Sequence, residues 1–117
     1  SICGTVDRRI FDIFKSCDSI LDFYKLNNVY EKLESKITNI CIKHIYARIN
    51  SLKKTNDSIL IKDFLNETSN YLTKLNEWEK SPYLIKKLTP FKMKIFVLAF
   101  RNKLFLKILK LYYSRKK

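Results

Sequence analysis

The sequence predicts an all-α fold: a four-helix bundle with a short extra helix before a highly apolar C-terminal central helix. Three observations carry this expectation. The chain has one glycine and two prolines in 117 residues, too few turn formers for the many tight connections of an all-β fold. Its hydrophobic residues, 46% of the total, recur at steps of three and four rather than two. The length suits one domain, residues 1–117, with a core of modest size.

The first helix is predicted over 6–26, with Thr5 or Asp7 capping its start, where Val6, Ile10, Ile13, Cys17, Ile20 or Leu21, and Tyr24 form a stripe and Phe11 and Phe14 widen it. Asn27-Asn28 ends it. Asn28-Val29-Tyr30-Glu31 then reads as a capping box for a second helix over 29–53. Its stripe is Leu33, Ile37, Cys41, Ile45, Ile49 and Leu52. Residues 53–58 read as a loop, with Asp57 or Ser58 capping a third helix that runs to about residue 80. Its face is Ile61, Phe64, Leu65, Thr68, Tyr71, Leu72, Leu75 and Trp78. Ser81-Pro82 opens a short helical turn over 82–88, and Thr89-Pro90 opens the last helix, which runs to about residue 114. Proline fits a first helical position because its missing N–H has no partner there in any case.

Helical phase gives the last helix its place. At about 100° per residue, Lys92, Lys103, Lys107, Lys110 and Ser114 fall within about 60° of each other. Nearly everything else on the cylinder is apolar. A half-exposed helix has a wide polar face, so this one is expected at the centre, showing a single lysine stripe to water. That stripe, with Arg115, Lys116 and Lys117, is the candidate contact surface.

Charge is unevenly divided. Residues 1–79 hold twelve Lys/Arg and eleven Asp/Glu, whereas residues 80–117 hold twelve Lys/Arg and no acid. So one-sided a field draws anionic partners: nucleic acid, acidic headgroups or glycans, or an acidic protein face. Base reading favours Arg, Asn and Gln, yet lysine outnumbers arginine 19 to 5. The aromatics sit at core spacing rather than on a stacking platform. A protein partner therefore leads and a nucleic-acid module is the alternative. A membrane-active or cytokine-like helical ligand comes third, because burial inside the bundle accounts more simply for the apolar circumference of the last helix; the apolar run at 95–100 is also far too short to span a bilayer.

Cys3, Cys17 and Cys41 are the cysteines. Folding the first two helices back about Asn27-Asn28 puts Cys17 about 10.5 residues before the turn centre and Cys41 about 13.5 after it. The offset is about 4.5 Å along the axis. A Cys17–Cys41 disulfide fits this geometry, and two buried thiols fit it equally well. Cys41-x-x-His44 brings a thiol and the single histidine onto one helical face. No orienting acid or oxyanion loop accompanies them. Cys3, Cys17, Cys41 and His44 suffice in number for zinc but lack knuckle spacing. There is no glycine-rich phosphate loop, and acids pair only as helix surface charges such as Glu77 and Glu79. The expectation is no enzyme, no metal and no cofactor. Asn56-Asp57-Ser58 and Asn66-Glu67-Thr68 are glycosylation sequons, weak signs of secretion.

Usage favours residues with AT-rich codons, Lys, Asn and Ile above all, which bears on source rather than chemistry. The start at Ser1 fits a mature product after removal of a signal peptide. Cys17 to Tyr24 and Cys41 to Tyr46 each give a cysteine followed by a tyrosine. This pattern, over roughly residues 17–46, resembles the bicycle proteins, secreted salivary effectors of gall-forming aphids named for two Cys-Tyr-Cys motifs. The closing cysteine of each motif is absent here. The resemblance implies delivery into a host and a host target. The combined expectation is a non-enzymatic, secreted helical protein, a host-directed effector acting by protein–protein binding. Its partner would be a host or receptor protein, of acidic character.

Overall fold

The computed structural model describes residues 6–28 and 30–115. It is an all-α bundle of six helices: α1 (Asp12–Leu26), α2 (Tyr30–Ser51), α3 (Ser58–Leu72), α4 (Pro82–Lys87), α5 (Pro90–Arg101) and α6 (Lys103–Arg115). Short 3-10 turns lead into α1 and follow α2, and another precedes α4. Cys3, Thr5, Lys116 and Lys117 lie outside the described residues.

Side-chain caps set the starts of α3, α5 and α6. Asp57 accepts from the N–H groups of Ile59 and Leu60 at 3.1 and 3.0 Å, and Thr89 accepts from Lys92 at 3.2 Å. Both satisfy donors that the first helical turn leaves free. Asn28 behaves differently from its expected role. Its φ is +57°, while an N-cap residue has an extended backbone. It closes α1 in the left-handed conformation, which asparagine tolerates better than most residues; its N–H bonds the Lys25 carbonyl.

Two helices differ in length from the prediction. α3 stops at Leu72, because Thr73, Lys74 and Leu75 turn back on the carbonyls of Asn70, Tyr71 and Leu72. Glu77 then takes a left-handed conformation, φ +55°, and Trp78 reaches the core from a 3-10 turn. The predicted last helix is two helices. Asn102 breaks it with an extended backbone, φ −129° and ψ 122°. Its N–H still bonds the Leu98 carbonyl, its carbonyl accepts from Leu106, and its Oδ1 accepts from Leu104 N–H at 2.9 Å. One residue thus ends α5 and caps α6.

α1 packs on α2, α3 packs on α5 and α6, and α4 lies against α2. α5 and α6 run back along each other, since Phe91 at the start of α5 and Tyr112 near the end of α6 line one groove. The core is one apolar cluster in which Phe64, Leu65, Leu52 and Leu84 are fully buried. Phe64 lies between Phe11, which it meets edge-on, and Phe14, with ring centroids 5.3 Å from each. Trp78, Phe96 and Phe100 form a second aromatic group under α5. Edge-to-face pairs like these add to the burial of the rings themselves.

One cap crosses the fold. Asn39 on α2 accepts from the Ser81 hydroxyl and from the Tyr83 N–H at 3.1 Å. It thereby fixes the start of α4, whose own Ser81 makes no side-chain cap.

Candidate binding face on the C-terminal helical hairpin

α6 shows three faces. Leu106 and Tyr113 are buried and Leu109 is half-buried. At about 100° per residue, Leu104, Ile108, Leu111 and Tyr112 lie on the side away from them. They are 65%, 55%, 52% and 53% exposed. Lys103, Lys107 and Lys110 form the third face, four and three residues apart. The hairpin extends the apolar strip. Phe91 and Ile95 on α5, 72% and 42% exposed, line the same groove as Ile108 and Tyr112.

That groove has a volume of about 450 Å³. Its floor comes from Phe96, Ala99, Phe105 and Tyr113, with Tyr46 and Ile49 of α2 as the far wall. Lys92, Asn50 and Lys53 supply its polar edge. Burial pushes the Tyr113 phenol up to about 12, with Tyr46 and Tyr112 adding to the rise. It is a neutral wall at any ordinary pH.

Exposed apolar side chains are common singly and informative together. Among the described residues, eleven large ones stay exposed, and six of them lie on α5 and α6. The others, such as Phe23, Ile59 and Ile85, are spread over separate helices. A buried central helix is therefore not what α5 and α6 form. The break at Asn102 doubles the segment back, so two helices share one inward surface. Part of the apolar run is left facing out.

The break also divides the predicted lysine stripe. Lys92 stands at the groove edge on α5. Lys103, Lys107 and Lys110 remain in line on α6, at the side that meets α3. Partial burial, then the nearby Lys107 and Lys62, hold Lys110 below the usual lysine range. Among the described residues, Lys92, Lys94, Lys103 and Lys107 make no ion pair with an acid. By contrast Arg101 bonds Glu79 and Lys80 bonds Glu77. A second, more polar depression, lined by Glu77, Glu79 and Arg101, lies between the end of α3 and the Asn102 junction.

The cysteine and histidine candidates separate. Cys41 is buried and His44 is exposed, so the two do not share an environment. Cys41 instead shares the core at the α1–α2 contact with Cys17, both as free, buried thiols. The neighbouring Cys41 thiol and burial together push the Cys17 thiol up. Next to them the Tyr71 hydroxyl donates to Asp18 at 2.8 Å, and burial raises the Tyr71 phenol.

Sequence reasoning located the lysines but missed the apolar strip and Asn102. The signal for the break was the polar run Arg101-Asn102-Lys103 between two apolar stretches, since asparagine is a favoured N-cap. No described helix is long and apolar enough to cross a membrane. No protein-family model, curated protein or solved structure matches the chain.

Proposed function

We propose that this chain is a non-enzymatic protein-binding module whose α5–α6 face holds an amphipathic helix of an acidic partner. The observation that supports it is one coincidence of place. An apolar strip spaced for helix packing lies beside Lys92, Lys103 and Lys107, which make no ion pair among the described residues, in a C-terminal segment, 80–117, without Asp or Glu. Leu104, Ile108 and Leu111 repeat at four and three residues, the ridge that a second helix packs against. Burying them supplies affinity, at roughly 25 cal/mol per Å² of apolar surface removed from water. The lysines add encounter rate and select against basic partners. Nucleic acid would use the lysines and leave the Leu and Ile side chains in water, so it fits the face less well. The effector expectation places this partner in a host; its support is the Cys–Tyr pattern.

A labelled acidic peptide of about 20 residues, with leucine at i, i+3, i+4 and i+7, tests this by fluorescence anisotropy. A reordered peptide of the same composition, and a duplex DNA of similar charge, are the controls. The amphipathic peptide is expected to bind at least about tenfold more tightly than either, a difference of about 1.4 kcal/mol. Ile108→Gln with Phe91→Gln removes that preference. Equal binding of both peptides overturns the reading. So does tighter binding of DNA that weakens steeply with salt, the mark of phosphate contacts.

A further inference from the structure

Cys17 and Cys41 play no part in the binding face, yet they are placed with care. Both are in the core, 1% and 0% exposed. They come from different helices, α1 and α2, which pack on each other, and both stand as free thiols in the same core cluster. α1 enters the core along one narrow edge, Ile13, Cys17 and Leu21. It is joined to α2 by a very short link, and this edge, its flanking aromatics and the Asp18 contacts to Tyr71 and Lys74 hold it down.

We propose that Cys17 and Cys41 are a disulfide-forming pair, a covalent staple of α1 to α2 made by exchange with a low-molecular-weight disulfide such as oxidised glutathione. One cysteine thiolate attacks a sulfur of the glutathione disulfide and releases the first glutathione thiolate. The second cysteine, as thiolate, attacks the protein sulfur of that mixed disulfide and releases the second. The protein loses two protons and two electrons, and one glutathione disulfide becomes two glutathiones. Both sulfurs are shielded from solvent, so exchange in either direction proceeds through local opening of α1. The bond closes a loop of about 25 residues and removes that much freedom from the unfolded chain. In a domain of this size the melting temperature is expected to rise several degrees, up to about 15 °C.

The test uses the full-length chain equilibrated in glutathione buffers from fully reducing to fully oxidising. Free thiols are alkylated after denaturation, peptides are mapped by mass spectrometry, and melting is followed by circular dichroism. The expected product is a Cys17–Cys41 linked peptide from a monomer that melts higher than the reduced chain. Three alkylated cysteines in the most oxidising buffer overturn the proposal. A linkage running mainly through Cys3 overturns it too, as does an oxidised form that melts no higher than the reduced one. The readout is independent of partner binding, so either proposal can fail alone.

Discussion

Replacing Leu104, Ile108 and Leu111 together by glutamine distinguishes a surface strip from a core stripe. Roughly a third to a half of each side chain is covered. Full burial of a Leu or Ile stabilises by about 1.5–3 kcal/mol, so the covered part contributes at most about 1.5 kcal/mol per site. Glutamine keeps two methylenes of the stem and has a helix propensity close to that of leucine. The expected loss is therefore about 0.5 kcal/mol per site and about 1.5 kcal/mol for the triple variant. Leu106→Gln is the internal standard. Leu106 is 5% exposed, and burying an amide there without a partner adds to the lost burial, for about 3–5 kcal/mol. Urea unfolding followed by circular dichroism measures both, with the slope checked for two-state behaviour. A central helix would reverse the order and cost the triple variant more than about 6 kcal/mol. If the triple variant is less stable than Leu106→Gln, the outward assignment of this face is wrong.

Two further substitutions probe the interior. Asn39→Ala removes the acceptor shared by Ser81 and Tyr83 and should cost about 1–2 kcal/mol in the same urea assay; no measurable loss would mean that α4 is held by its apolar contacts alone. Tyr113 ionises near 10 when unfolded and about 12 when folded, so between those values the unfolded chain sheds its proton first. Stability attributable to this phenol is full below pH 10 and falls as pH rises toward 12, by up to about 2–3 kcal/mol. Tyr113→Phe should remove that part of the alkaline loss; an unchanged slope of stability against pH in this window would contradict the buried, neutral phenol.

The candidate face was half legible in the sequence. Lys92, Lys103, Lys107 and Lys110 stand out because charge is counted directly from residues. Their grouping into one stripe assumed a single cylinder from 90 to 114, and Asn102 ends that assumption. A helical wheel treats an apolar residue as buried wherever an apolar neighbour shares its phase. It has no means of knowing that α5 and α6 cover each other and leave Phe91, Ile108 and Leu111 outside. Thr89-Pro90 and Asp57 were readable because their capping chemistry is local. Asn39 was not, because the helix end it serves is about 40 residues away. Cys17 and Cys41 were an intermediate case: a short link between two helices of known phase is nearly local information, and it sufficed to place both residues in the core.

The amino-acid sequence by itself determined that the chain is helical, where most of the helices start and which residues of α1 to α3 face inward. These follow from periodicity, caps and the scarcity of glycine and proline, all of which act within a few residues. Tertiary structure decided the rest. The hairpin at Asn102, the outward apolar strip and its lysine border depend on which surfaces are covered by which helices. That is a competition for burial among segments far apart in the chain, and helical phase alone does not resolve it.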